Sequence, residues 1–265
     1  MNKKNIILNS TMLFVIATMW QQSLHEMAHF IAAIIFHSKN ISLHHNYVQH
    51  DSSELSLKAK MIIASAGPLF SLLMGILFQL VCASYKKRNL LFLFFLFMSV
   101  FGYINFGGYL LVSPFFKGGD TGFVFFKLGF PIWLTIILSI GGAVFLFYAI
   151  KMLSKYFVEM ASEGIINDKS ERRTFINSLV KYPLYFGVII TTLLNLPVVV
   201  ILSLLYPMCS PFSLFWGFGF LLDTPYPTTY ANKELNKLTT ISPFLIIAFI
   251  VTIICNRLFV KGLYW

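Results

Sequence analysis

Long apolar runs alternate with short polar stretches along most of this chain. A helix needs about 20 apolar residues to cross a bilayer, so the pattern predicts about six transmembrane helices. They run from about Ile6 to Phe36, Met61 to Ser84, Leu90 to Val112, Pro131 to Ile150, Tyr182 to Tyr206 and Ile241 to Phe259. The first is longer than a span needs, so it tilts or leaves the bilayer at one end. Lys86-Lys87-Arg88 makes a tight basic turn between the second and third. Polar and apolar residues alternate at Ile41-Ser42-Leu43-His44, which predicts a short hairpin or re-entrant segment at about 41–57. Residues 151–181 are the most charged stretch and read as an aqueous link. Residues 207–240, with Asp223-Thr224-Pro225-Tyr226-Pro227, read as an ordered surface loop. The fold class expected is all-α, a polytopic membrane helix bundle without internal repeats.

Composition supports the bilayer. Hydrophobic residues make up 57% and charged residues 11%, against about a quarter charged in ordinary globular chains. Too little charge remains to cover a water-soluble surface. The net charge of +10 is spread over short loops, where Lys and Arg set topology and meet anionic head groups. Nothing in that distribution points to nucleic acid. Cys82, Cys209 and Cys255 are far apart and form no C-x-x-C, so they read as small apolar packing residues. The N-terminal run is not read as a signal peptide, because no small-x-small site follows it.

Candidate chemistry begins in the first run. His25-Glu26-Met27-Ala28-His29 is an H-E-x-x-H string. On a helix, positions i and i+4 share a face, so both imidazoles reach one zinc ion. Glu26 is then placed to activate water as a general base. A carboxylate and two imidazoles are costly in lipid and mark a functional site there. Catalytic zinc takes three protein ligands, so a third must come from elsewhere. Asp120 is the leading candidate. It follows Gly118-Gly119, which let the backbone approach a neighbour closely, and it emerges at the same end of the helices as the motif. Asp51, Asp223, Glu159, His37, His44, His45 and His50 remain alternatives. The second run contains Ala66-Gly67-Pro68-Leu69-Phe70-Ser71, whose small residues let helices pack closely.

This order of elements resembles the site-2 protease family of intramembrane zinc metalloproteases. The family carries H-E-x-x-H on one span, A-G-P-x-x-N on the next, and an N-x-x-P-x-x-x-L-D-G type motif at the end of a third. His25, Glu26 and His29 match the first, and Ala66-Gly67-Pro68 matches the second, with Ser71 in place of Asn. Asn105, Pro114 and Asp120 occur in the order of the third, with wider spacing and Gly118-Gly119-Asp120-Thr121-Gly122 in place of L-D-G. The resemblance implies one zinc per chain held by His25, His29 and Asp120, with Glu26 catalytic and Ser71 and Asn105 orienting the substrate. It implies a catalytic core in residues 1–126 with three transmembrane helices. Residues 127–265 then add further helices to the same integral membrane domain. The implied substrate is a membrane-embedded or membrane-proximal peptide, or a small hydrophobic one. Selection then rests on the membrane segments or on a regulatory membrane protein. The implied location is the cell membrane, and the implied process is regulated intramembrane proteolysis or peptide maturation.

A helical substrate hides its carbonyls, so Gly107-Gly108 and the 41–57 hairpin are expected to offer an edge to an unwound strand. Six spans put both termini on one side, and that side holds the larger share of Lys and Arg. The positive-inside rule then places the zinc site toward the outer face, whereas the resemblance implies the cytoplasmic side. Two other readings compete. One is a membrane zinc protease of the kind acting on prenylated C-termini, with Glu159 or Glu163 as third ligand. The other is a non-enzymatic metal-binding membrane protein or transporter.

Overall fold

The computed structural model describes residues 2–199, 201–223 and 236–265. Helix α1 (Lys3–Ile35) starts at Asn2, whose side chain accepts a hydrogen bond from the Asn5 N–H. Strands β1 (Lys39–Leu43) and β2 (Val48–Asp51) follow as an antiparallel hairpin, starting two residues before the stretch of about 41–57 expected to form one. Helices α2 (Leu57–Ser84) and α3 (Leu90–Val112) are capped by Ser56 and Asn89. The short helix α4 (Asp120–Lys127) leads to α5 (Ile132–Val158).

Beyond α5 come α6 (Glu163–Asn167) and α7 (Lys169–Ile176). A stretch of π geometry at Asn177–Lys181 joins α7 to α8 (Tyr182–Leu194). Then follow α9 (Ile201–Cys209), a 3-10 segment (Ser210–Gly217) and α10 (Phe218–Asp223). The last elements are α11 (Asn236–Thr239), α12 (Pro243–Val260) and β3 (Leu263–Tyr264). Strand β3 pairs with β1, giving the sheet order β2-β1-β3. The pattern of apolar runs gave no sign of that third strand.

Five helical runs are long and apolar enough to cross a membrane: α2, α3, α5, Lys169–Leu194 and α12. By that criterion the expected count of about six is corrected to five. Helix α1 is long enough, but Asn9, Gln21, Gln22 and Glu26 interrupt its apolar sequence. The fifth expected span, Tyr182 to Tyr206, is also corrected. It starts at Lys169, inside the stretch read as an aqueous link. There Phe175, Ile176, Leu179 and Val180 are buried and draw the charged segment into the bundle. It ends at Leu194, where Asn195 stops the helix and Pro197 cannot resume it.

The break at Asn195 reorganises the topology. Ser203 donates to the Asn46 carbonyl, 2.8 Å away in the hairpin at one end of the bundle. A Cβ on Gly217 would meet Ile150 of α5 at 2.7 Å. The Leu221 carbonyl accepts from Arg172 at the other end. The broken stretch 201–223 therefore makes a further traverse, with Leu214 and Leu221 buried, rather than a surface loop. Of the rest of that expected loop, residues 224–235 lie outside the described residues and Asn236–Thr239 form a short helix.

Helix α12 then starts beside the N-terminus, where Asn9 donates to the Leu238 and Thr240 carbonyls at 3.0 and 2.8 Å. It ends at the hairpin, through β3. The two termini lie at opposite ends of the bundle, so the expectation that they share one side is corrected.

Helix α3 is the centre of the packing, with Phe92, Phe97 and Phe101 fully buried. It touches α2 closely enough that a Cβ on Gly102 would lie 2.6 Å from the Gly75 nitrogen. Gly107 faces Leu146 of α5. The Gly107-Gly108 pair thus sits inside a packed helix and offers no strand edge, contrary to expectation. At the end away from the hairpin, buried Arg88 forms an ion pair with the largely buried Glu159 at 2.7 Å. Apolar residues such as Ile136, Ile140 and Val144 on α5, and Ile247 and Ile254 on α12, cover the exterior. Exposed apolar residues on helices of span length suit lipid contact.

Candidate metal centre

On α1, His25 and His29 are separated by one turn and project from the same face. Their rings lie 4.8 Å apart, and both are buried. Helix α2 passes directly over them at Gly67, the central residue of Ala66-Gly67-Pro68. A Cβ there would lie 2.6 Å from His25 Nε2 and would overlap His29 Nε2 as well. The glycine is therefore a requirement of the imidazole pair, beyond its role in helix packing.

Asp120 opens α4 and brings a carboxylate oxygen to the same point. Its Oδ2 lies 3.0 Å from His25 Nε2 and 3.2 Å from His29 Nε2, and the two Nε2 atoms are 3.1 Å apart. Thr121 ties this helix to the end of α3 by donating to the Tyr109 carbonyl at 2.7 Å. The expected role of Gly118-Gly119 is revised. Neither takes left-handed backbone, and a Cβ on Gly118 would meet nothing within 4 Å. The close approach falls instead at Gly122, where a Cβ would run into the Phe116 carbonyl. Burial raises the Asp120 pKa, but His29 and His25 outweigh it and hold the carboxyl well below its usual range.

The far nitrogens of the histidines are engaged. His29 Nδ1 lies 2.7 Å from the Ile63 carbonyl, which only accepts, so Nδ1 carries a proton. In the neutral ring Nε2 then presents a lone pair to the cluster. His25 Nδ1 is 3.1 Å from Ser71 Oγ. Such contacts fix the orientation of metal-ligating imidazoles.

The three converging atoms suit a small cation better than they suit one another. Ligands of a tetrahedral zinc ion at about 2.0–2.1 Å lie about 3.3 Å apart, close to the separations here. Two imidazoles and a carboxylate are also an ordinary donor set for zinc. Among the described residues, these three form the one cluster able to hold a metal.

The other candidate ligands are engaged elsewhere. Glu159 pairs with Arg88 at the opposite end of the bundle. His45 Nε2 contacts the Asn195 carbonyl, His44 stacks on Tyr47, and His50 contacts Ser38. Asp51 accepts from the Ser53 N–H. His37 and Glu163 do not join the cluster, and the side chain of Asp223 lies outside the described residues. Ser71 and Asn105 are both buried, and neither borders the cavity described next. Ser71 contacts His25, while Asn105 Nδ2 has no hydrogen-bond partner.

A cavity of about 530 Å³ opens beside the cluster, with Glu26, His29, Asp120, Tyr109, Asn46 and Lys60 on its wall. Strand β2 contributes Val48 and His50 to the same wall. Glu26 is buried, and its carboxylate makes no hydrogen bond or ion pair with another described residue, although it lies within electrostatic reach of His25, His29 and Asp120. Tyr109 stacks on His25, with ring centroids 4.9 Å apart and planes 9° from parallel. Sequence reasoning missed Tyr109, since a tyrosine in an apolar span carries no motif. Its position one turn after Asn105 and next to Gly108 was the only signal available.

Compared with known proteins, the chain matches no family model, no curated protein and no solved structure.

Proposed function

We propose that this chain is an integral membrane zinc endopeptidase of the site-2 protease type. It cleaves a membrane-embedded or membrane-proximal peptide segment. The observation that carries the reading is the meeting of His25 Nε2, His29 Nε2 and Asp120 Oδ2 at 3.0–3.2 Å, beside a cavity that Glu26 borders. In this reading α1 crosses the membrane with the five apolar runs and places the site toward the hairpin end.

His25, His29 and Asp120 would hold the ion. Bound there, zinc supplies a Lewis acid for the scissile carbonyl and acidifies a water molecule. Glu26 takes the proton of the attacking water and delivers it to the departing nitrogen. Ser71 and the Ile63 carbonyl hold the two imidazoles in place. His25, Glu26 and His29 are buried, which strengthens the charge interactions among them. Strand β2 is an outer strand of the sheet and borders the cavity, so an extended peptide has an edge to lie along.

The competing reading with Glu159 as third ligand has its carboxylate bound to Arg88 at the other end. A passive metal carrier gives no reason for Glu26 to sit without a partner at the cavity.

The deciding experiment co-reconstitutes the zinc-loaded protein with a panel of single-span reporter polypeptides and reads cleavage by mass. Wild type should cut at least one reporter, and Glu26→Gln should cut none while keeping its metal. Cleavage retained in Glu26→Gln sinks the proposal.

A further inference from the structure

Tyr109 packs flat on His25, one of the three residues of the candidate metal centre. It borders the cavity together with Glu26 and Asp120, and its hydroxyl interacts with the Asp120 carboxylate and lies within electrostatic reach of Glu26. Two constraints fix it. Stacking on His25 sets the plane of the ring, and the Thr121 bond to its carbonyl sets the backbone beneath it. A rigid phenol at this place is a hydrogen-bond donor on the wall where a peptide carbonyl would react.

We infer that Tyr109 is a catalytic residue, whose single O–H turns from the Asp120 carboxylate to donate to the scissile carbonyl oxygen as that oxygen gains negative charge. The inference rests on the proteolytic reading given above. The step balances without any redox partner. The water oxygen bonds to the carbonyl carbon, and Glu26 takes one of its protons. The π electrons of the carbonyl move onto its oxygen, which the Tyr109 hydroxyl stabilises without giving up its proton. When the C–N bond breaks, those electrons return, and Glu26 passes its proton to the nitrogen. A fixed donor aimed at developing charge contributes about 10²–10³-fold in rate where it has been measured. Binding of a ground-state ligand gains little from such a donor.

The test compares two probes on zinc-loaded protein in detergent. Acetohydroxamate binds the metal alone, and a dipeptide phosphinate also mimics the tetrahedral, negatively charged state. Tyr109→Phe keeps the stacked ring and removes only the hydroxyl. It should leave zinc content and acetohydroxamate affinity unchanged and weaken the phosphinate by about 10–100-fold, the worth of one hydrogen bond to a charged group. Tyr109→Leu removes the stack as well and should weaken both probes. Equal phosphinate affinity in wild type and Tyr109→Phe overturns the inference and leaves the zinc site standing. Loss of zinc in Tyr109→Phe also overturns it, because the hydroxyl then serves only to hold Asp120. Failure of wild type to take up zinc or bind acetohydroxamate overturns the proteolytic reading, and this inference falls with it.

Discussion

Gly67→Ala adds one carbon at the tightest point of the site. The new Cβ would lie 2.6 Å from His25 Nε2 and 2.8 Å from His25 Cδ2. Those separations are about 1 Å inside the optimum of roughly 3.5–4.0 Å. Gly67 lies within α2, so alanine there also gains up to about 1 kcal/mol of helix propensity. Overpacking costs about 1–3 kcal/mol, and the imidazoles relieve it only by turning Nε2 away from the shared point. Ser71 and the Ile63 carbonyl resist that turn through the Nδ1 atoms. The net effect should fall on metal binding more than on folding. Each 1.4 kcal/mol is tenfold in affinity, so zinc should bind about 10–100-fold more weakly. Competition with a chromophoric chelator on detergent-purified protein measures this. Gly118→Ala is the matched control, since its Cβ would meet nothing within 4 Å, and it should bind zinc as wild type does. Wild-type zinc affinity in Gly67→Ala would refute the argument, because the helices would then have room that the geometry denies them.

Three further outcomes follow from the same structure. Ser71→Ala removes the contact to His25 Nδ1 and should weaken zinc by about 10–100-fold; chelator competition reads it, and an unchanged affinity counts against an orienting role. Arg88→Met leaves the largely buried Glu159 without its partner and should cost about 3–5 kcal/mol in stability. The double change with Glu159→Leu should recover most of that loss in denaturant titration, and a double variant no more stable than the single one contradicts the reasoning. Reporters fused before Asn2 and after Trp265 should lie on opposite faces of the membrane, because β3 anchors the C-terminus beside β1. Reporters on one face would show that the stretch 201–223 does not traverse.

The sequence was most legible where chemistry and periodicity coincide. His25, Glu26 and His29 follow from spacing alone, and α3 matches its expected bounds because Asn89 caps it and the basic turn precedes it. Asp120 was legible as the leading third ligand, but what seats it beside the imidazoles, Thr121 and Gly122, forms no motif. Span counting failed where local composition competed with tertiary packing. The charged face of Lys169–Arg173 masked the buried Phe175 and Ile176, and Asn195 hid a break inside an apolar run. The traverse at 201–223 is apolar over the length of a span, but it is broken into short segments around Pro207 and Pro211, so it did not read as one helix. Strand β3 was not legible, since two pairing residues leave no pattern to read.

The central claim is that His25, His29 and Asp120 bind one zinc ion, and metal analysis of the purified full chain tests it most directly. One zinc per chain is predicted for wild type and for Glu26→Gln, with loss of zinc in Asp120→Ala and in His25→Ala. A wild-type protein that carries no zinc after loading, or an Asp120→Ala variant that keeps a full complement, would contradict the account.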